Sequence, residues 1–238
     1  MEIVAINGSP KAKGSVSGLL IEQIEQMMQT TITVFQARKM TRQNDLSQEL
    51  DTIRNADILL VVFPLYIDSL PAALIEALSL LEEAGLSGDK SPLRVYALCN
   101  CGFYEAQHTS LALQMIKRFA IRTAQNWGFG IGIGCGGILL SQSENMAKGP
   151  TANVYAALNE LCNDMAGKGM TSGGFADMGT ASYAASANGS RRENLLITPK
   201  LPRFLYKLGG NMGFSQMAKK SGVRNTIDAK PHLDAEFS

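Results

Sequence analysis

The sequence predicts an α/β protein in which a parallel sheet is covered by helices on both faces. Two observations carry this. Five short apolar runs alternate with segments of helical periodicity up to about residue 166. Two of those runs are apolar at every position, as strands buried on both faces must be.

Taken in order, Ile3–Ile6 is a continuous apolar run and reads as a central strand. Thr31–Phe35 alternates with period 2 and reads as a half-buried edge strand. Ile58–Phe63 is the strongest strand signal, six apolar residues without interruption. Leu93–Leu98 and the glycine-rich Gly130–Gly134 supply the fourth and fifth strands. Between them the helical stripes are Leu20, Ile24, Met27 and Met28, then Leu74, Ala77, Leu78 and Leu81. A third stripe, Ala112, Ile116, Phe119 and Ala120, belongs to a segment read as helical from Gln107 to Trp127. A fourth runs through Val154, Leu158, Leu161, Cys162 and Met165, and a short helix is expected over about Leu46–Asn55. Strands alternating with helices imply right-handed crossovers. Five strands suit the doubly wound flavodoxin order 2-1-3-4-5, which binds ligands outside the carboxyl ends of the strands at the switch point between strands 1 and 3. That rule selects three loops: 7–17, 64–70 and 99–105.

Composition narrows the function classes. The 238 residues are 45% apolar and 18% charged, enough for a substantial core, with a formal net charge of +1. Near-neutrality speaks against nucleic-acid binding and against an acidic electron-shuttle protein. Cys99, Cys101, Cys135 and Cys162 follow no zinc or C-x-x-C spacing, and two histidines cannot make a His-rich metal site. A strand is expected from the first residues and no export signal precedes it, so reduced thiols in a cytoplasm are expected. The longest largely apolar run, Gly128–Leu140, is too short and too rich in glycine to span a membrane.

The first loop, Asn7-Gly8-Ser9-Pro10-Lys11-Ala12-Lys13-Gly14-Ser15-Val16-Ser17, leaves a buried strand and enters an amphipathic helix. Its three serines, two lysines and the free N–H groups of the helix start suit a phosphate dianion. A plain turn with a serine N-cap is the alternative. No Gly-Lys-Ser/Thr follows at Walker spacing. The second loop, Phe63-Pro64-Leu65-Tyr66-Ile67-Asp68-Ser69-Leu70-Pro71, leaves the strongest strand. Tyr66 there reads equally as a packed surface aromatic or as a flat face offered to a ligand. In the third, Cys99-Asn100-Cys101-Gly102-Phe103-Tyr104-Glu105, Asn100 and the backbone near Gly102 can bond a heterocycle edge, and Phe103 can stack or pack. The C-x-C pair reads as small residues in a tight loop rather than a redox couple. Gly132-x-Gly134-x-x-Gly137 matches a dinucleotide fingerprint formally, but no good helix follows it; it reads as a thin strand end allowing close approach.

Together, Gly8-Ser9-Pro10-Lys11 with Ser15 and Ser17, Phe63-Pro64-Leu65-Tyr66 with Leu70-Pro71, and Asn100-Cys101-Gly102-Phe103 resemble the flavodoxin-like NAD(P)H-dependent FMN reductase and quinone reductase family. The resemblance covers roughly residues 1–165. It implies FMN as cofactor, with its phosphate held by Ser9, Pro10, Lys11, Ser15, Val16 and Ser17. The isoalloxazine would lie between Pro64, Leu65, Tyr66 and Ile67 on one side and Asn100, Cys101, Gly102 and Phe103 on the other, Tyr66 stacking or gating. It implies hydride transfer from NAD(P)H to the flavin, then reduction of a small-molecule acceptor such as a quinone, nitro compound or free flavin, in a homodimer or tetramer. Lys11 stands where the family commonly has Arg, and Ser15-Val16 where it has Asn-Thr. An FMN electron carrier without nicotinamide reactivity and a flavin-free structural or regulatory domain are the competing readings.

The expected domain ends near 166. Residues 167–190 are rich in Gly, Ser, Ala and Thr and read as a long loop. Eight Lys/Arg against one acid follow between Arg191 and Arg224, and Pro202-Arg203-Phe204 opens a helix. This C-terminal extension, 167–238, reads as a solvated basic face, with an NADPH phosphate, a subunit contact or a membrane surface as alternatives.

Overall fold

A computed structural model describes residues 1–11, 13–86, 92–168 and 194–222. The expected loop 167–190 lies, from 169 on, outside these residues, as do Arg191, Arg192 and Arg224. The chain forms two compact units, Met1–Lys200 and Leu201–Ser238.

In the first unit, strands β1 (Ile3–Asn7), β2 (Ile32–Gln36), β3 (Ile58–Pro64), β4 (Arg94–Asn100) and β5 (Asn126–Ile133) pair in parallel in the order 2-1-3-4-5. A sixth strand, β6 (Leu195–Ile197), extends the sheet beyond β5, also in parallel. Five strands were expected; β6 comes from a three-residue run beyond the long Gly/Ser-rich stretch, too short to show a period of its own. Helices α1 (Val16–Met28) and α6 (Ala152–Met165) cover one face. The other face carries α2 (Ala37–Met40), α3 (Ser47–Asn55), α4 (Ala72–Ala84) and α5 (Ser110–Arg122).

The strand pleat divides the apolar residues between two cores. Val4, Ile6, Leu59, Val61 and Phe63 face α4 and α5, while Ile3, Ala5, Ile58, Leu60 and Val62 face α1 and α6. Every residue of β3 from Ile58 to Phe63 is fully buried, at about 1.5–3 kcal/mol for each large side chain. β2 is an edge, and only Ile32 in it is buried. On the α6 side, Tyr96 donates its hydroxyl hydrogen to Asp164 Oδ2 at 2.7 Å. The Arg94 guanidinium donates to the carbonyls of Asp164 and Met165 at 3.0 and 2.6 Å. A cation thus caps the α6 carboxyl end, where the helix dipole favours it.

The expected helix 107–127 is shorter than its periodicity promised. A 3-10 turn, Ala106–Thr109, precedes α5, which stops at Arg122. Trp127 lies in β5, paired with Val95. Gln125 ends the connection by accepting the Leu93 N–H on its side-chain oxygen at 2.7 Å and donating its own N–H to the Ala120 carbonyl.

Two glycines of the fingerprint-like run, Gly132 and Gly134, serve packing. A Cβ on Gly134 would land on the Tyr104 carbonyl oxygen, so only glycine lets β5 end this close to the third loop. Replacing Gly134 by Ala should cost about 2 kcal/mol in urea unfolding through this backbone overlap. Gly137→Ala, with nothing within 4 Å of its added methyl, should stay within about 0.5 kcal/mol of wild type.

Candidate flavin site

The carboxyl ends of β1, β3 and β4 deliver the three expected loops to one edge of the sheet. The first is organised before the helix begins. Asn7 is buried at the end of β1 and accepts the Ser9 N–H on Oδ1 at 2.9 Å, an Asx turn. Gly8 donates its N–H to the Val62 carbonyl at 2.8 Å. A Cβ there would meet Phe63 Cβ and Leu74 Cδ2 at 2.8 Å, so this glycine is spent on α4 packing rather than on approach to a ligand. Ser9 Oγ accepts the Lys11 N–H at 3.3 Å, while Pro10, Lys11 and Lys13 are exposed.

Ser15 is the N-cap of α1, its Oγ accepting from the Gly18 N–H at 3.0 Å. Its carbonyl takes the Leu19 N–H at 3.0 Å. Helix geometry leaves the Val16 and Ser17 N–H groups without a carbonyl partner inside the helix. Val16 has no hydroxyl but keeps its backbone N–H at the helix start. The Ser17 side chain is buried and turned toward Asn100, whose Nδ2 lies 3.5 Å from Ser17 Oγ.

Asn100 joins the three loops. Its Nδ2 donates to the Phe63 carbonyl at 3.1 Å, and its carbonyl accepts the Leu65 N–H at 2.8 Å. The side chain thus reaches the first and second loops from the root of the third. A residue read from sequence as a bond to a heterocycle is committed, on its amide nitrogen, to the protein.

Pro64 is half-buried and Leu65 buried, so the second loop offers Tyr66 and Ile67. Tyr66 and Ser69 exchange both backbone hydrogen bonds, at 2.9 and 3.0 Å, closing a two-residue turn. Ile67 and Asp68 in that turn have φ of 48° and 58°. A β-branched residue in the left-handed region costs about 1–2 kcal/mol, and Ile67 is 98% exposed, so no burial offsets it.

In the third loop Cys101 is an internal brace. Its N–H donates to the Ile133 carbonyl at 2.9 Å, and its Sγ lies 3.8 and 3.7 Å from the Phe103 and Glu105 carbonyls. Its N–H is therefore not available to a flavin. Gly102 and Phe103 are exposed. The Phe103 ring lies over His108, with centroids 4.4 Å apart. His108 stands within 4.0 Å of Asp68 from the second loop and of Glu105 from the third. No local spacing in the sequence marks this group, because Asp68 sits 40 residues before His108. A cleft of about 600 Å³ borders the first loop through Asn7, Lys13, Gly14 and Ser15, and reaches Gln36 of β2. Its walls contain no residue of the second or third loop.

All four thiols are buried. Burial pushes Cys101 up to about 11, with the Glu105 and Asp68 charges adding to it, and pushes Cys135 and Cys162 up to about 12; Cys99 is also raised. A thiol pKa raised in the fold gives stability that is complete below the ordinary value of 9.0 and lost as pH climbs from there toward 11. At pH 8, Ellman's reagent should therefore titrate no cysteine of the native protein on the timescale in which it titrates all four in guanidinium. Fast labelling of Cys101 would contradict the buried brace.

The sequence model of NADPH-dependent FMN reductases matches residues 1–123, just over half of the chain. No curated protein sequence matched. Among solved structures, an NADH:FMN oxidoreductase in its apo form is 18% identical and superposes with a TM-score of 0.51, over 72% of this chain and 90% of that one. An oxidoreductase from Corynebacterium diphtheriae is 12% identical at a TM-score of 0.50, over 70% and 96% of the two chains. These two likenesses show the fold. With the sequence match, the chain belongs to the NADPH-dependent FMN reductase family, oxidoreductases with FMN as cofactor and NAD(P)H as donor.

Proposed function

We propose that the three loops form a single FMN site, and that the protein uses it to reduce a small-molecule acceptor such as a quinone, a nitro compound or free flavin. The observation that carries this reading is the Asn100 junction. It ties the helix-start donors of the first loop to the two loops that present half-exposed Tyr66 and Phe103.

The donor set of the first loop suits a phosphate. Val16 and Ser17 offer unpaired N–H groups at the positive end of α1, and Ser9 and Ser15 have hydroxyl hydrogens to give, since their oxygens act as acceptors in the loop. Lys11 and Lys13 add positive charge. On the open side, Gly14 and Gly102 have nothing within 4 Å of where a Cβ would stand, so the first and third loops leave room for a ligand backbone and ring.

When bound, FMN supplies two-electron chemistry between NAD(P)H and the acceptor. The chain's task is to bind and orient. The first loop holds the phosphate end. Tyr66 covers one side of the ring and Phe103 the other, excluding water from the transfer. A backbone N–H at exposed Phe103 would favour negative charge at the ring edge. Assembly into a dimer or tetramer in the cytoplasm belongs to the same reading.

Purified protein with FMN, mixed anaerobically with NADH and then with NADPH, should lose its absorbance near 450 nm with at least one donor. Persistent colour with both would overturn the reductase reading. Ser9→Asp, which sets a carboxylate against the phosphate, should weaken FMN binding on the order of tenfold or more, about 1.4 kcal/mol. Unchanged FMN affinity would remove the first loop from the site.

A further inference from the structure

The second unit carries one described element, α7 (Arg203–Lys220), and its surface is unlike that of a solvated helix. Six large apolar side chains in 18 residues are exposed by 41–68%: Phe204, Leu205, Leu208, Met212, Phe214 and Met217. Arg203, Lys207, Lys219 and Lys220 are its charged residues, all cations. No Asp or Glu occurs anywhere from Asn194 to Ile227. Phe204, Leu208 and Met212 follow at four-residue intervals with Leu205 beside them, so the first three turns present one apolar stripe. Gly209, Gly210 and Gly213 in the interior weaken the helix in water, which makes it one that gains from a surface to lie on.

A solvated basic face, the reading from sequence, accounts for the lysines but not for two phenylalanines, two leucines and two methionines in water. A second copy of α7 is disfavoured, because it would bring four more cations and no anion. Nucleic acid would satisfy the charge but gives the leucines and methionines nothing to enter. An anionic bilayer surface meets both demands over the first three turns: its headgroups pair with cations such as Lys207 at the flank of the stripe, and its acyl boundary takes Phe204, Leu205, Leu208 and Met212. The helix is not a span, since no helix among the described residues is long and apolar enough to cross a membrane. We propose that α7 is a surface-binding helix that docks the protein on anionic phospholipid bilayers. This inference does not rest on the identity of the electron acceptor.

Flotation of the full-length protein with vesicles tests it. Vesicles of phosphatidylcholine with 30% phosphatidylglycerol should carry the protein upward at low salt. Pure phosphatidylcholine vesicles should bind at least tenfold less, and 0.5 M NaCl should weaken the anionic binding. Phe204→Asp with Leu208→Asp should abolish flotation, and Lys207→Glu with Lys219→Glu and Lys220→Glu should reduce it at least tenfold, while reduction by NAD(P)H stays at the wild-type rate. Absence of wild-type flotation with phosphatidylglycerol vesicles would overturn the proposal. Equal binding to both vesicle types would overturn it too. So would a dimer dissociated by Phe204→Asp/Leu208→Asp, or retention of DNA, in a protein that does not float.

Discussion

The side-chain amide of Asn100 is the contact on which the rest of the site depends. A parallel sheet brings the ends of β1, β3 and β4 to one edge, but it does not set the loops beyond them relative to one another. Asn100 does so, its side chain reaching Phe63 at the end of β3 and Ser17 in the first turn of α1 while its main-chain carbonyl takes the Leu65 N–H of the second loop. Because it is buried, each of these groups would be costly to leave unpaired, on the order of 1–3 kcal/mol, and the arrangement is correspondingly specific. Around it, small and buried residues lock the loop roots, while Tyr66, Ile67 and Phe103 stand outward.

That division of labour separates rigid support from contact surface. Cys101, Asn7 and the carbonyl of Asn100 are all used within the protein. What faces outward is the strained Ile67–Asp68 turn and two aromatic rings. A turn held in a left-handed conformation at an exposed isoleucine is the kind of strain that binding loops carry, and here it sits one residue from the exposed Tyr66. His108, between Asp68 and Glu105, links the same turn to the third loop.

Much of this was legible in the residues. Ile58–Phe63 reads as a strand buried on both faces, and Ser15 before an amphipathic helix reads as a phosphate contact or an N-cap, of which the structure shows the cap. The alternation of strand and helix, with Gly-Ser-Pro after the first strand, led to the switch-point loops. Other features were hidden for physical reasons. Trp127 continued a helical stripe, but the left-handed Ala124 and the tertiary bonds of Gln125 end the helix and start β5 before it. β6 is three residues whose only distinguishing property is its partner, Ile131–Ile133. The inward turn of Cys101 depends on an Ile133 carbonyl 32 residues away, which no local pattern reveals. The internal bonds of Asn100 and Ser17 are not legible, because sequence shows a side chain's chemistry but not which neighbour satisfies it first.

The central claim is that the helix-start loop anchors the flavin by its phosphate. Fluorescence titration of the flavin-free protein with FMN and, separately, with riboflavin isolates that anchor, since the two ligands differ only in the phosphate. Two charge-assisted hydrogen bonds at about 1.5–3 kcal/mol each predict FMN binding tighter by on the order of a hundredfold or more. Equal affinity for FMN and riboflavin would contradict the account.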